Sequence, residues 1–114
     1  VTLPTRAYKV LTGPQMAELL SRGSFAGAPV DLADGYIHLS AEPQLAETVL
    51  KHFSGQDDLW IATVDLVAVH DDLRWEPSRG GALFPHLYAD LALEAVIAHA
   101  PLAWASGGKI ALPR

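Results

Sequence analysis

Two short segments hold most of the side chains in this sequence that could do chemistry, and they share a grammar. "DGYIHLS" (residues 34–40) and "GALFPHLYADL" (residues 81–91) each set a histidine directly before a leucine, with a hydroxyl side chain two residues past the histidine. In an extended chain successive side chains point to opposite faces. Tyr36, His38 and Ser40 therefore share one face while Ile37 and Leu39 take the other, and Phe84, His86 and Tyr88 repeat the pattern. Imidazole, phenol and hydroxyl groups on two such strands would supply donors and acceptors to a ligand in a cleft. A half-buried histidine is more often structural, bonded to backbone or carboxylate, and it is the recurrence of the motif that argues against coincidence.

A third stretch, "VHDDLRWE" (residues 69–76), crowds His70, Asp71, Asp72 and Glu76 together. Carboxylates beside a histidine suit a hard divalent ion, but loop aspartates more commonly cap turns, and no metal site is assigned. Trp75, between Arg74 and Glu76, fits either a core position or the stacking wall of a ring-bearing ligand. His52 and His99 have no partner pattern and receive no role. The sequence contains no GxxxxGK[ST] phosphate loop, no GxGxxG, no HExxH and no GxSxG. It also has no cysteine, which removes disulfides, thiolate nucleophiles and cysteine zinc ligands.

The elements that must position these residues belong to one domain, residues 1–114, since the length suits one core and not two. Half the residues are hydrophobic, which argues against disorder. The net charge of -5 gives no broad attraction to nucleic acid or an anionic membrane. The first residues lack a basic start with a long apolar stretch, and no apolar run approaches the roughly 18 residues of a spanning helix. A cytoplasmic location without a membrane partner is the expectation.

"RAYKVLT" reads as a first strand, closed by Gly13-Pro14. A helix follows with Met16, Leu19 and Leu20 at helical spacing, ending near Gly23. "SFAGAPVDLAD" reads as an ordered loop, and Ser40 as the N-cap of a second helix whose stripe is Leu45, Val49, Leu50 and Phe53. Beyond Gly55, "DLWIATVDL", "LRWE", "LFPHLY", "LEAVIAHA" and "KIAL" are strand-like. About six strands and two early helices predict an α+β fold with a largely antiparallel or mixed sheet.

"YKV", "DGYIHLS", "LRWE" and "FPHLY", in this order and at these separations, identify the chain as a member of the bacterial domain-of-unknown-function family 952, the match running from residue 8 to about 98. More distantly, "IHLS", preceded by a strand and helix and followed by a helix and a long strand, is similar to the HLS motif of RNA 2'-phosphotransferases, which have the ADP-ribosyltransferase fold. That resemblance implies a small split β-sheet whose cleft holds NAD as a substrate, with His38 facing it. No cofactor is otherwise indicated. It also implies His38, Glu76 and His86 as candidate catalytic residues, Glu76 being the carboxylate available to polarise a ribose hydroxyl. Tyr36, Ser40, Arg74, Trp75, Phe84 and Tyr88 are the candidate ligand contacts.

One departure bears on activity. The first strand of those enzymes resembles "LYHGT", with a histidine that bonds NAD, whereas "AYKVLT" carries Val10 at that place. ADP-ribosyl transfer asks a protein to hold the ribose in a strained, desolvated pose and to stabilise an oxocarbenium-like transition state. An NAD- or nucleotide-using enzyme of this type and a non-catalytic domain binding a nucleotide or metabolite are the two main readings, with a protein-interaction module as the third. The Val10 replacement favours binding over catalysis, and nucleic acid is expected as a partner only as an RNA end.

Overall fold

A computed structural model describes the backbone of residues 3–114 and the side chains of that range except Arg79. Its centre is β1 (Arg6–Thr12), paired antiparallel with β4 (Leu59–Asp65), which pairs in turn with β8 (Val96–Pro101). The alternation of "RAYKVLT" buries both faces of β1. Ala7 and Leu11 enter the larger core, while Tyr8 and Val10 enter a second core with Leu45, Val49 and Ile61. Lys9, between Tyr8 and Val10, is thereby carried inward on the Ala7 side.

Helix α1 (Gly13–Arg22) starts where local chemistry directs it. The Thr12 hydroxyl accepts from the Gln15 amide at 3.3 Å, and the Gln15 side chain accepts from the Thr12 amide at 2.9 Å. This reciprocal box satisfies two amides that the first turn leaves without partners. The helix ends at Gly23, in the left-handed conformation at φ 77°. Met16 and Leu19 are buried and Leu20 is largely exposed, so the apolar stripe is narrower than the sequence pattern implies.

A second sheet has the order β3 (Ile37–His38), β6 (Ala82–Leu87), β5 (Leu73–Ser78), and a two-residue ladder joins β2 (Ser24–Phe25) to β7 (Leu91–Ala92). All of these pairings are antiparallel, and the fold is α+β. The two three-stranded sheets meet at one bridge, where the Tyr8 amide donates to the Ser40 carbonyl at 2.8 Å and the Ser40 amide to the Tyr8 carbonyl at 2.9 Å. The larger core fills the space between the sheets and α1 with Leu11, Met16, Leu19, Phe25, Ile37 and Leu87. Each such side chain contributes about 1.5–3 kcal/mol by leaving water. Among the described residues no helix is long and apolar enough to cross a membrane.

Several sequence expectations need correction. The described residues form eight strands and three α-helices, not six and two. The stretch read as a loop contains β2 and helix α2 (Pro29–Asp34), six residues that are too few to show periodicity. Ser40 is not an N-cap, because Pro43 builds a 3-10 turn (Glu42–Gln44) in front of α3 (Leu45–His52). Gln44 caps that turn by accepting from the Ala41 amide at 2.9 Å, and Leu50 of the expected stripe is exposed. "KIAL" makes a single bridge, Ile110 to Trp104.

Candidate functional site

Strand register assembles the site. His38 lies opposite His86 across β3 and β6, and β5 sets Arg74 opposite His86 and Glu76 opposite Phe84. Opposed residues of an antiparallel pair share a face. Arg74, Glu76, Phe84, His86 and His38 therefore emerge together, while Ile37, Leu73 and Leu87 form the core-facing side.

The rings on this face form a cluster. Tyr36 stacks on His86 at 4.0 Å between centroids and 24° between planes, and its ring lies 4.6 Å from His38 and 5.2 Å from Tyr88. The two imidazoles are 5.6 Å apart in an edge-on arrangement. The Arg74 guanidinium sits 4.9 Å from the centre of the Tyr88 ring, a cation-π contact.

A single oxygen, Oε1 of Glu76, accepts from the Tyr88 hydroxyl at 2.6 Å and lies 2.8 Å from Nδ1 of His86. The Tyr88 bond, then that of His86, holds the Glu76 carboxyl below its usual range, and the same Glu76 bond raises the Tyr88 phenol. Burial, followed by the charges of Asp34 and Glu76, raises the Tyr36 phenol.

Beneath His38 lies Asp31, only 2% exposed. Its Oδ2 accepts from the Ala28 amide at 2.7 Å, and its Oδ1 from the His38 amide at 3.0 Å. Nδ1 of His38 lies 2.7 Å from Oδ1, and Nζ of Lys9 lies 3.2 and 3.0 Å from the two oxygens. Lys9 also donates to the His38 carbonyl at 3.1 Å. Gly27 permits this closure. It has φ 134°, and a Cβ there would come within 2.8 Å of the Asp31 Cβ.

Burial works against the ionised Asp31 carboxyl, but the His38 hydrogen bond, the Lys9 charge and the two amides outweigh it and hold the group at about 2. Burial pushes the Lys9 ammonium below its ordinary value, with Asp31 opposing. The ion pair is sealed, and its remaining donors and acceptors are matched, which is the condition for keeping charges away from water.

The outer nitrogen of His38 faces a second carboxylate, with Nε2 2.9 Å from Oδ2 of Asp34, whose side chain is 45% exposed. Only a doubly protonated imidazole donates to both carboxylates at once. Beside the rings, Asp31, Leu32, Tyr36, Ile37, Tyr88 and Asp90 line a shallow hollow of about 240 Å³. This falls below the several hundred Å³ of a typical enclosed ligand pocket, so a ligand would lie over the rings more than inside the fold.

Of the candidate residues named from sequence, His38, His86, Glu76, Tyr36, Arg74 and Tyr88 come together. Phe84 shares their face and is buried. Ser40 turns away, buried with its hydroxyl 2.9 Å from that of Thr48. Trp75 lies on the other side of β5, opposite Pro85 and half-buried against the main core. Val10 is buried in the second core, so its neighbour Lys9 is the β1 residue that reaches the site. His70 and Asp71 lie exposed in the 3-10 turn His70–Asp72, and among the described residues no group of three or more metal ligands converges.

Sequence reasoning passed over Lys9, Asp31 and Asp34. Three signals pointed to them: a lysine within an apolar alternation, an aspartate two residues after Pro29, and an acid four residues before His38.

Residues 10–99 match the model of a family described as "Protein of unknown function (DUF952)". The chain is similar to the crystal structure of protein CC0527 from Caulobacter crescentus, at 44% identity over 95% of each chain with a TM-score of 0.85. A solution NMR structure of CC0527 is 43% identical over 93% of this chain and 91% of that one, with a TM-score of 0.78. No curated protein matches the chain.

Proposed function

We propose that this chain, which belongs to the DUF952 family, binds a nucleotide-like ligand on the Tyr36–His86 face, as an NAD- or nucleotide-using domain of ADP-ribosyltransferase type. The observation that carries this reading is the near-parallel stack of Tyr36 on His86, with His38 and Tyr88 completing the ring cluster. Such a surface accepts a base or nicotinamide ring through stacking and leaves its polar edges for orientation. Glu76 supports it further. A carboxylate offers about four acceptor positions, and Tyr88 and His86 both use Oε1, so a ribose hydroxyl has a partner at the rim.

A second reading, a non-catalytic domain for the same ligand class, is favoured by the burial of Val10 in the far core and by the two carboxylates on the His38 ring. Calorimetric titration of NAD, ADP-ribose, nucleotides and 2'-phosphorylated RNA ends tests both. The expected result is binding that Tyr36→Ala abolishes while the chain stays folded. Release of nicotinamide from NAD assigns catalysis, and binding with NAD left intact assigns the second reading. A screen without a single bound ligand, or a Tyr36→Ala variant that binds like the parent, would overturn both.

A further inference from the structure

We propose that an oxyanion subsite lies at Nε2 of His38 and that the Asp34 carboxylate occupies it as a built-in substitute, to be displaced by a phosphate or carboxylate group of the ligand. This rests on the ligand-binding reading above and narrows its ligand to one that carries an anion.

The two acids on His38 have opposite circumstances. Asp31 is sealed, with side-chain exposure of 1%, and receives the Ala28 and His38 amides, Lys9 and the His38 ring. It fixes the ring, so that Nε2 points outward as a preset position. Asp34 is 45% exposed and meets His38 from the surface at 2.9 Å. It is the last residue of α2, with the C-cap Gly35 directly after it and no basic residue in the final turn.

The carbonyl end of a helix disfavours a carboxylate. Helix formation therefore gives no reason for an acid at this position, whereas contact with His38 does. An exposed carboxylate–imidazole contact of this kind is weak, since water and salt compete for both partners. Turning Asp34 outward is correspondingly cheap, and an incoming oxyanion restores the bond that His38 loses.

The charges nearby fit the exchange. Lys9 and Asp31 cancel as a buried pair. With Asp34 turned out, Nε2 of His38 is left as the outward-facing polar atom at that end of the site. Glu76 lies beyond Tyr36, on the His86 side. Tyr36, 4.6 Å from the His38 ring, places the stacking surface next to the anion position. While the acid stays in place, it acts as a tethered competitor at high local concentration, and apparent affinity falls by the fraction of time the position is open.

The test uses the full chain labelled with 15N, following the His38 ring nitrogens while inorganic phosphate and, separately, acetate are added. Wild type, Asp34→Ala, Asp34→Ser and Asp34→Ala/His38→Gln are compared, with melting curves to verify folding. The expected result is a response of the His38 signals in Asp34→Ala and Asp34→Ser at severalfold lower anion concentration than in wild type. The tightened binding should be absent from the double variant, where the backbone amide signal of Tyr36, whose ring lies 4.6 Å from that of His38 in the wild type, is followed in place of the lost imidazole. Stronger phosphate binding identifies a phosphate ester as the ligand group, and stronger acetate binding a carboxylate. His38 signals that stay still in the folded Asp34 variants, or that move at the wild-type concentration, would overturn the proposal. Neither probe contains a ring, so that negative result leaves the stacking of a nucleotide on Tyr36 standing, and a failed nucleotide screen leaves the phosphate result standing.

Discussion

Nδ1 of His38 meets Asp31 at 2.7 Å, and Nδ1 of His86, the residue opposite it in register, meets Glu76 at 2.8 Å. Two carboxylate–imidazole pairs thus surround Tyr36, but they differ in kind. Asp31 is sealed and saturated, which makes His38 a fixed post. Glu76 is about one-third exposed and shared with Tyr88, which makes the His86 end responsive to whatever touches the tyrosine.

His38→Ala is expected to abolish ligand binding and to destabilise the fold by about 1–3 kcal/mol, because buried Asp31 loses the ring donor. Calorimetry and a denaturant midpoint read the two effects separately. A variant as stable as wild type would show that Asp31 does not depend on the ring.

Lys9→Met should cost about 3–5 kcal/mol, since it leaves a buried carboxylate without its cation. Asp31→Asn should cost a similar amount for the converse reason. The double variant Lys9→Met/Asp31→Asn is expected to lose much less than the sum, and a double-mutant cycle on unfolding free energies measures the coupling.

Acid should weaken the fold through Asp31. Its carboxyl is held at about 2, against an ordinary value of 3.8, so the folded state favours the ionised form. That contribution is complete above the ordinary value and is lost as pH falls through the depressed one. It amounts to about 2 kcal/mol at 1.36 kcal/mol per unit. Unfolding at pH 7 and near pH 2 should show wild type losing its advantage over Asp31→Asn at the acid end.

Thr63 lies in β4 between Tyr8 and Ala98, 4% exposed, with no partner for its hydroxyl among the described residues. Thr63→Val keeps the branched shape and removes the unmatched group, so it should stabilise by about 1 kcal/mol and raise the melting temperature. A lower melting temperature would mean that the hydroxyl is matched by buried water.

That His38 and His86 belong to one kind of face was legible because "IHLS" and "PHLY" repeat one pattern, and alternation alone sends Ile37 and Leu39 inward; that their strands are neighbours in register was not, since repetition of a pattern carries no pairing partner. The caps of α1 were legible because Thr12, Pro14 and Gly23 are local signals. The charged floor of the site was not. Lys9 and Asp31 are 22 positions apart, and nothing local to either announces the other. Asp31 was further hidden by a six-residue helix too short for periodicity. Ser40 and Trp75 misled because strand alternation assigns a face without saying whether that face is solvent, core or a seam between sheets.

That seam has a kinetic meaning. The bridge between Tyr8 and Ser40 joins the two three-stranded sheets through two amide hydrogens, next to Lys9 and two residues along the chain from His38. Proteins open in cooperative pieces, and the boundaries between pieces lie where few bonds cross. A hinge along this line would let the β3–β6–β5 leaf part from the β1–β4–β8 leaf, wetting the lysine–aspartate pair before either sheet melts. Deuterium uptake at the Tyr8 and Ser40 amides, faster than at the centre of β4, would be the signature of that breathing.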